Sequence, residues 1–127
     1  RPWCRISHTG RSAYYGLARA VELAGDEECI IGRIASSNLR LSDTSVSNKH
    51  AKIFRKDFMP YVMDTRSSNG TFLNKKRLLP EEPYPLRHGD IISFAVPRPP
   101  SRSKNIKKWF EICFELLPQG GASNGPP

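Results

Sequence analysis

A succession of short β-forming runs, separated by turn chemistry at roughly ten-residue spacing, constrains this chain more than any other feature. Cys29-Ile30-Ile31 precedes Gly32, and Leu39-Arg40-Leu41 alternates apolar with charged. Ala51 to Arg55 places Ala51 and Ile53 on one face, the pattern of a half-buried strand. Tyr61-Val62-Met63 follows. Thr71-Phe72-Leu73 stands after Asn69-Gly70, a dipeptide that favours hairpin turns, and Ile91 to Val96 stands after His88-Gly89-Asp90. In Trp109 to Leu117 the period of two puts Phe110, Ile112 and Phe114 together on one face. At the front, Trp3 to Ser7 and Val21 to Leu23 pair across a polar stretch. Gly16 to Ala24 carries helix-forming residues, but it is short and uncapped, and strand is the reading its surroundings favour. Runs this short, with turns this frequent, predict an all-β chain folded as an antiparallel β-sandwich.

The length of 127 residues suits one domain. We place it at residues 1–117, with 118–127 (PQGGASNGPP) as a flexible tail or linker that has no side chains to pack. Val96 to Lys108 holds Pro97, Pro99 and Pro100 and five cations without an acid, so it reads as a basic loop. No apolar run approaches the ~18 residues that span a bilayer, and no charged segment followed by an apolar one opens the sequence as a signal peptide would. Cys4, Cys29 and Cys113 are too far apart for a zinc motif and odd in number for a disulfide framework, so reduced thiols in an intracellular protein are expected. With Lys+Arg at 20 and Asp+Glu at 12 the net charge is +8, which points to an anionic partner without saying which.

Four local features stand in order: Ile31-Gly32-Arg33, Ser47-Asn48-Lys49-His50, Asp64-Thr65-Arg66-Ser67-Ser68-Asn69-Gly70-Thr71 and Leu86-Arg87-His88-Gly89-Asp90. Each alone is ambiguous. Together, over roughly residues 30–94, they resemble the forkhead-associated (FHA) domain, a module that binds phosphothreonine peptides. The Ser47 to His50 loop looks like that of the checkpoint-kinase type. The resemblance implies a sandwich of about eleven strands with its binding loops at one end. It implies phosphate contacts for Arg33 and Ser47, with Asn48 and Ser68 beside them, and a hydrogen bond from Asn69 to the peptide backbone. Gly32, His50, Gly70, Gly89 and Asp90 are implied to be structural, His50 by hydrogen-bonding the loops that carry the site. In many relatives a basic residue directly follows the serine; here that place is Asn48, and by strand alternation Lys49 points away.

These residue types suit the chemistry. A phosphothreonine carries about −1.5 to −2 charge and three acceptor oxygens. Arg33 offers a planar fork that stays charged, and Ser47 and Asn48 offer neutral donors. Selectivity for the residues after the phosphothreonine is expected from Ser45, Arg98 and Arg102. A basic nucleic-acid-binding β domain is the alternative, but the cations are dispersed and do not interleave with aromatics as on a stacking platform. No P-loop, metal cluster or nucleophile–base frame marks an enzyme, and Ser47 with His50 is too close in sequence to be a dyad. The expectation is therefore a non-catalytic binding module without cofactor, metal or membrane partner. It would act as a monomer or weak dimer, in signalling or DNA-damage and cell-cycle control, in the nucleus more than the cytoplasm.

Overall fold

The structure, a computed structural model, describes residues 1–9, 20–94 and 110–119. The whole basic loop, with Arg98 and Arg102, and most of the tail lie outside these residues. The chain forms β1 (Pro2–His8), β2 (Val21–Ala24), β3 (Cys29–Gly32), β4 (Leu39–Arg40), β5 (Ala51–Lys56) and β6 (Met59–Asp64). It continues through β7 (Thr71–Leu73), β8 (Lys76–Arg77), β9 (Tyr84–Pro85), β10 (Ile91–Phe94) and β11 (Phe110–Leu116). The strands make a six-stranded sheet ordered β2-β1-β11-β10-β7-β8 and a five-stranded sheet ordered β4-β3-β5-β6-β9. Eleven strands in two sheets is the expected sandwich. β8 and β9, two residues each, are strands that the pattern of apolar runs does not reveal.

Among the described residues the named strands pair antiparallel except for β3 and β4. β3 and β4 run parallel, Ile31 opposite Leu39 and Gly32 opposite Arg40. Residues 33–38 fold back beside β3, with a turn in which the Ser37 N–H donates to the Ile34 carbonyl (3.0 Å). The Asn38 side chain then accepts the Ile30 N–H at 2.8 Å, replacing a ladder bond that so short a return cannot supply.

Between the sheets lies one core. Ile6, Ile92, Phe94, Ile112 and Phe114 of the larger sheet meet Ile31, Ile53 and Val62 of the smaller and Leu41 and Val46 of the β4–β5 connection, all fully buried. Each such side chain contributes about 1.5–3 kcal/mol by leaving water. The alternation read in β11 holds: Phe110, Ile112 and Phe114 are buried, and the residues between them are half-exposed. Cys4 and Cys29 belong to this core; all three cysteines are free, and burial pushes the Cys4 and Cys29 thiols up to about 12.

Hairpin turns form where no glycine marks them. Asp57-Phe58 joins β5 to β6 and Asn74-Lys75 joins β7 to β8, with positive φ at all four residues (51°, 64°, 48° and 74°). Those are the backbone signs of type I′ turns, which match the twist of the flanking strands. Asn69-Gly70, by contrast, is no hairpin. β6 belongs to the smaller sheet and β7 to the larger, so residues 65–70 cross between sheets. This crossover, the start of β5, the end of β3 and the end of β10 come together at one end of the sandwich. Gly89 and Asp90 sit at the opposite end of β10. There the Asp90 carboxylate accepts the Arg87 N–H (2.7 Å) and the Asn74 Nδ2–H (3.0 Å), and the Gly89 N–H donates to Phe114 (2.7 Å).

Candidate functional site

The site is built on a close approach of two chain segments. The Arg33 N–H donates to the Ser47 carbonyl (3.0 Å), the Ile34 N–H to Asn48 (3.3 Å) and the His50 N–H to Ile31 (2.8 Å). A Cβ at Gly32 would stand 2.0 Å from the Asn48 carbonyl oxygen and 2.8 Å from its carbon. No side chain fits there, which explains a glycine at the end of β3. The Arg33 Nε–H donates to the Val46 carbonyl at 2.9 Å. That bond fixes the base of the guanidinium, while the residue as a whole remains exposed.

His50 is fully buried and links three segments. Its Nδ1 accepts the Ser47 N–H (3.1 Å), and its Nε2 bonds the Gly70 carbonyl (2.7 Å). An acceptor at Nδ1 and a carbonyl opposite Nε2 define the neutral tautomer with the proton on Nε2. The ring meets Phe94 edge-on at 5.4 Å, so it also joins the smaller sheet to the larger. Burial pushes the imidazole below its ordinary pKa, outweighing the Gly70 hydrogen bond and the Asp64 charge, which act the other way.

Residues 65–70 are held from beneath by Asp64, which is buried. Its carboxylate accepts the Ser67 N–H (3.1 Å), the Ser67 hydroxyl (2.5 Å) and the Thr71 hydroxyl (2.6 Å). The Ser67 oxygen in turn accepts the Gly70 N–H (2.9 Å). Gly70 takes φ +92°, where an added Cβ would also come 2.8 Å from the Arg77 Nε. At the far side of the loop, the Thr65 hydroxyl donates to the Lys49 carbonyl (2.8 Å). Two bonds then lock this crossover to the segment before β5. The Ser68 N–H donates to the Ser47 Oγ (2.9 Å), and the Asn69 Nδ2–H donates to the Ser45 carbonyl (2.6 Å).

Arg33, Ser47, Ser68 and Asn69 are thus brought together from residues as distant as 33 and 69. Ser47 is half-buried; Arg33, Asn48, Ser68 and Asn69 are exposed. Ser45, expected to read peptide side chains, turns its hydroxyl onto Asp43 (2.6 Å) and serves the loop's own turn. Gly89 and Asp90 shape the opposite end of the domain. Sequence reasoning placed Asp64, Ser67 and Thr71 within the third motif but gave them no role; the network they form links an acid to hydroxyls three and seven residues on, in a loop that needs its N–H groups satisfied. It also passed over Arg40, whose Nε–H donates to the Arg33 carbonyl (3.1 Å). Among the described residues, no group of His, Cys, Asp and Glu is placed to hold a metal.

The Ser47 oxygen accepts a backbone N–H, and its own proton is still available to another acceptor. Beside it stands a guanidinium which, among the described residues, has no carboxylate within ion-pair distance. An exposed cation next to fixed neutral donors is a receptor for a compact anion.

A family model described as the FHA domain matches residues 29–95, just over half of the chain. Among curated proteins, an uncharacterised protein of Schizosaccharomyces pombe is 42% identical over 66 residues, which cover 47% of this chain and 22% of that protein. A probable E3 ubiquitin-protein ligase, dma1, of the same yeast is 45% identical over 51 residues, covering 37% of this chain and 19% of its own length. The chain thus spans only about a fifth of these relatives. Among solved structures, the N-terminal FHA domain of Saccharomyces cerevisiae Rad53p, in complex with a phosphothreonine peptide, superposes with a TM-score of 0.71. It is 20% identical, over 91% of this chain and 94% of that one. The FHA domain of an Arabidopsis thaliana hypothetical protein gives a TM-score of 0.71 at 23% identity, over 93% and 88%. At these identities the two structures speak for the fold.

Proposed function

The chain belongs to the FHA-domain family, and from that premise we propose that it is a phosphorylation-dependent interaction module that binds phosphothreonine peptides of partner proteins. The observation that carries this reading is the pairing of Arg33 with Ser47 at the meeting point of three loops. The Arg33 Nε is bonded to Val46, which aims the fork outward, and the Ser47 oxygen is occupied by the Ser68 N–H, which leaves its proton for a phosphate oxygen. Asn48 and Ser68 flank these donors, and Asn69, its Nδ2–H bonded to the Ser45 carbonyl, stands exposed beside them on the crossover.

Magnitudes assign the main role to Arg33. A charge pair at ~4 Å is worth about 1 kcal/mol in water and about 4 near a protein surface. A neutral donor bonding a charged group adds about 1.5–3 kcal/mol. Only the arginine combines both, in a fork that matches two phosphate oxygens. A threonine methyl adds about 0.8 kcal/mol over serine, roughly fourfold, so a larger preference requires a shaped slot.

The reading makes the domain a targeting part and assigns catalysis to no residue in it. Its finer form is a role in DNA-damage or cell-cycle signalling in the nucleus, supported by the checkpoint-kinase likeness of Ser47-Asn48-Lys49-His50. The test is an oriented library of phosphothreonine, phosphoserine and unphosphorylated peptides, titrated against the wild type and Arg33→Ala. Binding that needs the phosphate and disappears in the variant is expected. Binding indifferent to phosphate, or equally strong to duplex or single-stranded oligonucleotides with a steep salt dependence, would instead favour the nucleic-acid alternative.

A further inference from the structure

Five of the other cations in the described chain have carboxylate or aromatic partners. Arg5 pairs with Glu22, Lys52 with Glu28 and Arg66 with Glu81. Arg55 lies between two aromatic rings, and Arg77 lies over Phe72. Arg33 and Arg40 differ. Among the described residues neither has a carboxylate or a ring beside it, and each binds a backbone carbonyl through Nε, Arg33 to Val46 and Arg40 to Arg33 itself. The second bond seats the Arg40 guanidinium on the backbone of the first arginine. Two like charges so placed repel each other unless an anion stands between or across them.

The sheet gives their order. β4 is the edge strand, then β3, β5 and β6. Across this end of the domain the groups therefore run Arg40, Arg33, the Ser47 loop, and Asn69 on the crossover after β6. The parallel pairing sets Arg40 level with Gly32, at the mouth of the site rather than down the flank. The place directly after Ser47 holds the neutral Asn48, so the second cation comes from the other side.

We propose that Arg40 is a second anion-binding group of this site, and that the domain prefers phosphothreonine peptides carrying a further phosphate or carboxylate on the side of the phosphothreonine that lies away from Asn69. The proposal rests on the phosphothreonine reading of Arg33 and Ser47. The first phosphate sits on Arg33; the second anion reaches Arg40 at the sheet edge. Arg40 contributes selectivity, because it is exposed and an exposed pair of charges yields only a few-fold in affinity. A dianionic phosphate yields more than a carboxylate.

The test uses the full chain and a peptide with one phosphothreonine and neutral neighbours. Glutamate, or separately phosphoserine, is placed at each flanking position in turn, with calorimetric titration at about 0.15 M salt. On one flank only, glutamate is expected to raise affinity about threefold and phosphoserine about tenfold. Arg40→Gln should erase both gains and leave the affinity for the singly phosphorylated peptide within about twofold; Arg40→Lys should keep part of each. Three results overturn the proposal. The gain survives in Arg40→Gln; or no flanking acid brings a gain; or Arg40→Gln weakens every peptide alike, which would make it a positioning residue acting through the Arg33 backbone. Failure of the wild type to bind any of the peptides overturns the phosphothreonine reading, and the proposal falls with it.

Discussion

The two ends of the sandwich use the same residue type in opposite ways. At the end where β5 meets β6, the Arg55 guanidinium lies 4.8 Å from the Trp3 ring centroid and 5.6 Å from that of Phe58, and its Nη2–H donates to the Gly25 carbonyl at 3.2 Å. Its charge is absorbed by the protein, and two-residue turns close the strands. At the other end, Arg33 and Arg40 touch only backbone through Nε, and the connections are long, crossing between sheets or folding back beside a strand. Those connections are not loose. Asp64, His50, Ser67 and Asn69 satisfy their polar groups from inside, so the loops are rigid while their outward donors stay unsatisfied by the protein. A donor held rigid and unpaired costs stability and binds an anion without further ordering.

The largest effect we expect separates these ends directly. Arg33→Ala should lower phosphopeptide affinity by about 100-fold, near 3 kcal/mol, and leave the unfolding temperature unchanged. Arg55→Ala should do the reverse, losing about 1–2 kcal/mol of stability from its ring contacts with affinity within twofold. Calorimetric titration and chemical denaturation of both variants check the pair. If either of these two arginine variants shifts both quantities together, the comparison breaks.

His50→Ala tests whether loop rigidity and fold are coupled at the binding end. It removes a buried ring and orphans the Ser47 N–H and the Gly70 carbonyl, at a cost of about 2–4 kcal/mol. Affinity should fall as well, because both loops lose their tie. The pH dependence gives a further sign. Burial holds the folded pKa of His50 below its unfolded value. The unfolded state therefore takes up the proton first as pH falls. The stability contributed by the neutral ring is complete above about pH 6.5 and is lost below it. His8 is shifted the same way by burial, so the wild type minus His50→Ala difference, followed by thermal melts from about pH 8 to 5, isolates this group. A difference independent of pH would contradict the buried neutral imidazole.

Smallest of all should be Arg66→Ala. The Arg66–Glu81 pair is well exposed, 77% and 51% for the two side chains, and such pairs contribute about 0–1 kcal/mol. A loss of more than this by denaturation would mean that the crossover depends on its surface as well as on Asp64.

Much of the architecture was legible because alternation and turn residues are local. Ile53 and Ala51 of β5, and Phe110, Ile112 and Phe114 of β11, face the core as their spacing requires. β8 and β9 were not, because two residues carry no period. The Asp57-Phe58 and Asn74-Lys75 turns were missed because neither carries glycine; Asp57 and Asn74 tolerate φ > 0, but Phe58 and Lys75 take it only because the strands they join require it. Asn69-Gly70 misled in the other direction: its left-handed glycine serves an inter-sheet crossover. Within the site, Arg33, Ser47 and Asn69 were visible as a family pattern. The Asp64 network and Arg40 were not, since nothing in a sequence says which hydroxyls an acid will reach or which strand will lie parallel beside Gly32.

By itself, the sequence determined an all-β fold, a positive charge, and the identity of the donors, because these follow from residue type and from periods of a few residues. The tertiary structure alone decided that the Ser47 oxygen accepts from Ser68, that His50 stays neutral beneath both loops, and that Arg40 stands beside Arg33. Those are contacts between residues distant in the chain, and they exist only once two sheets have packed and their ends have been brought into register.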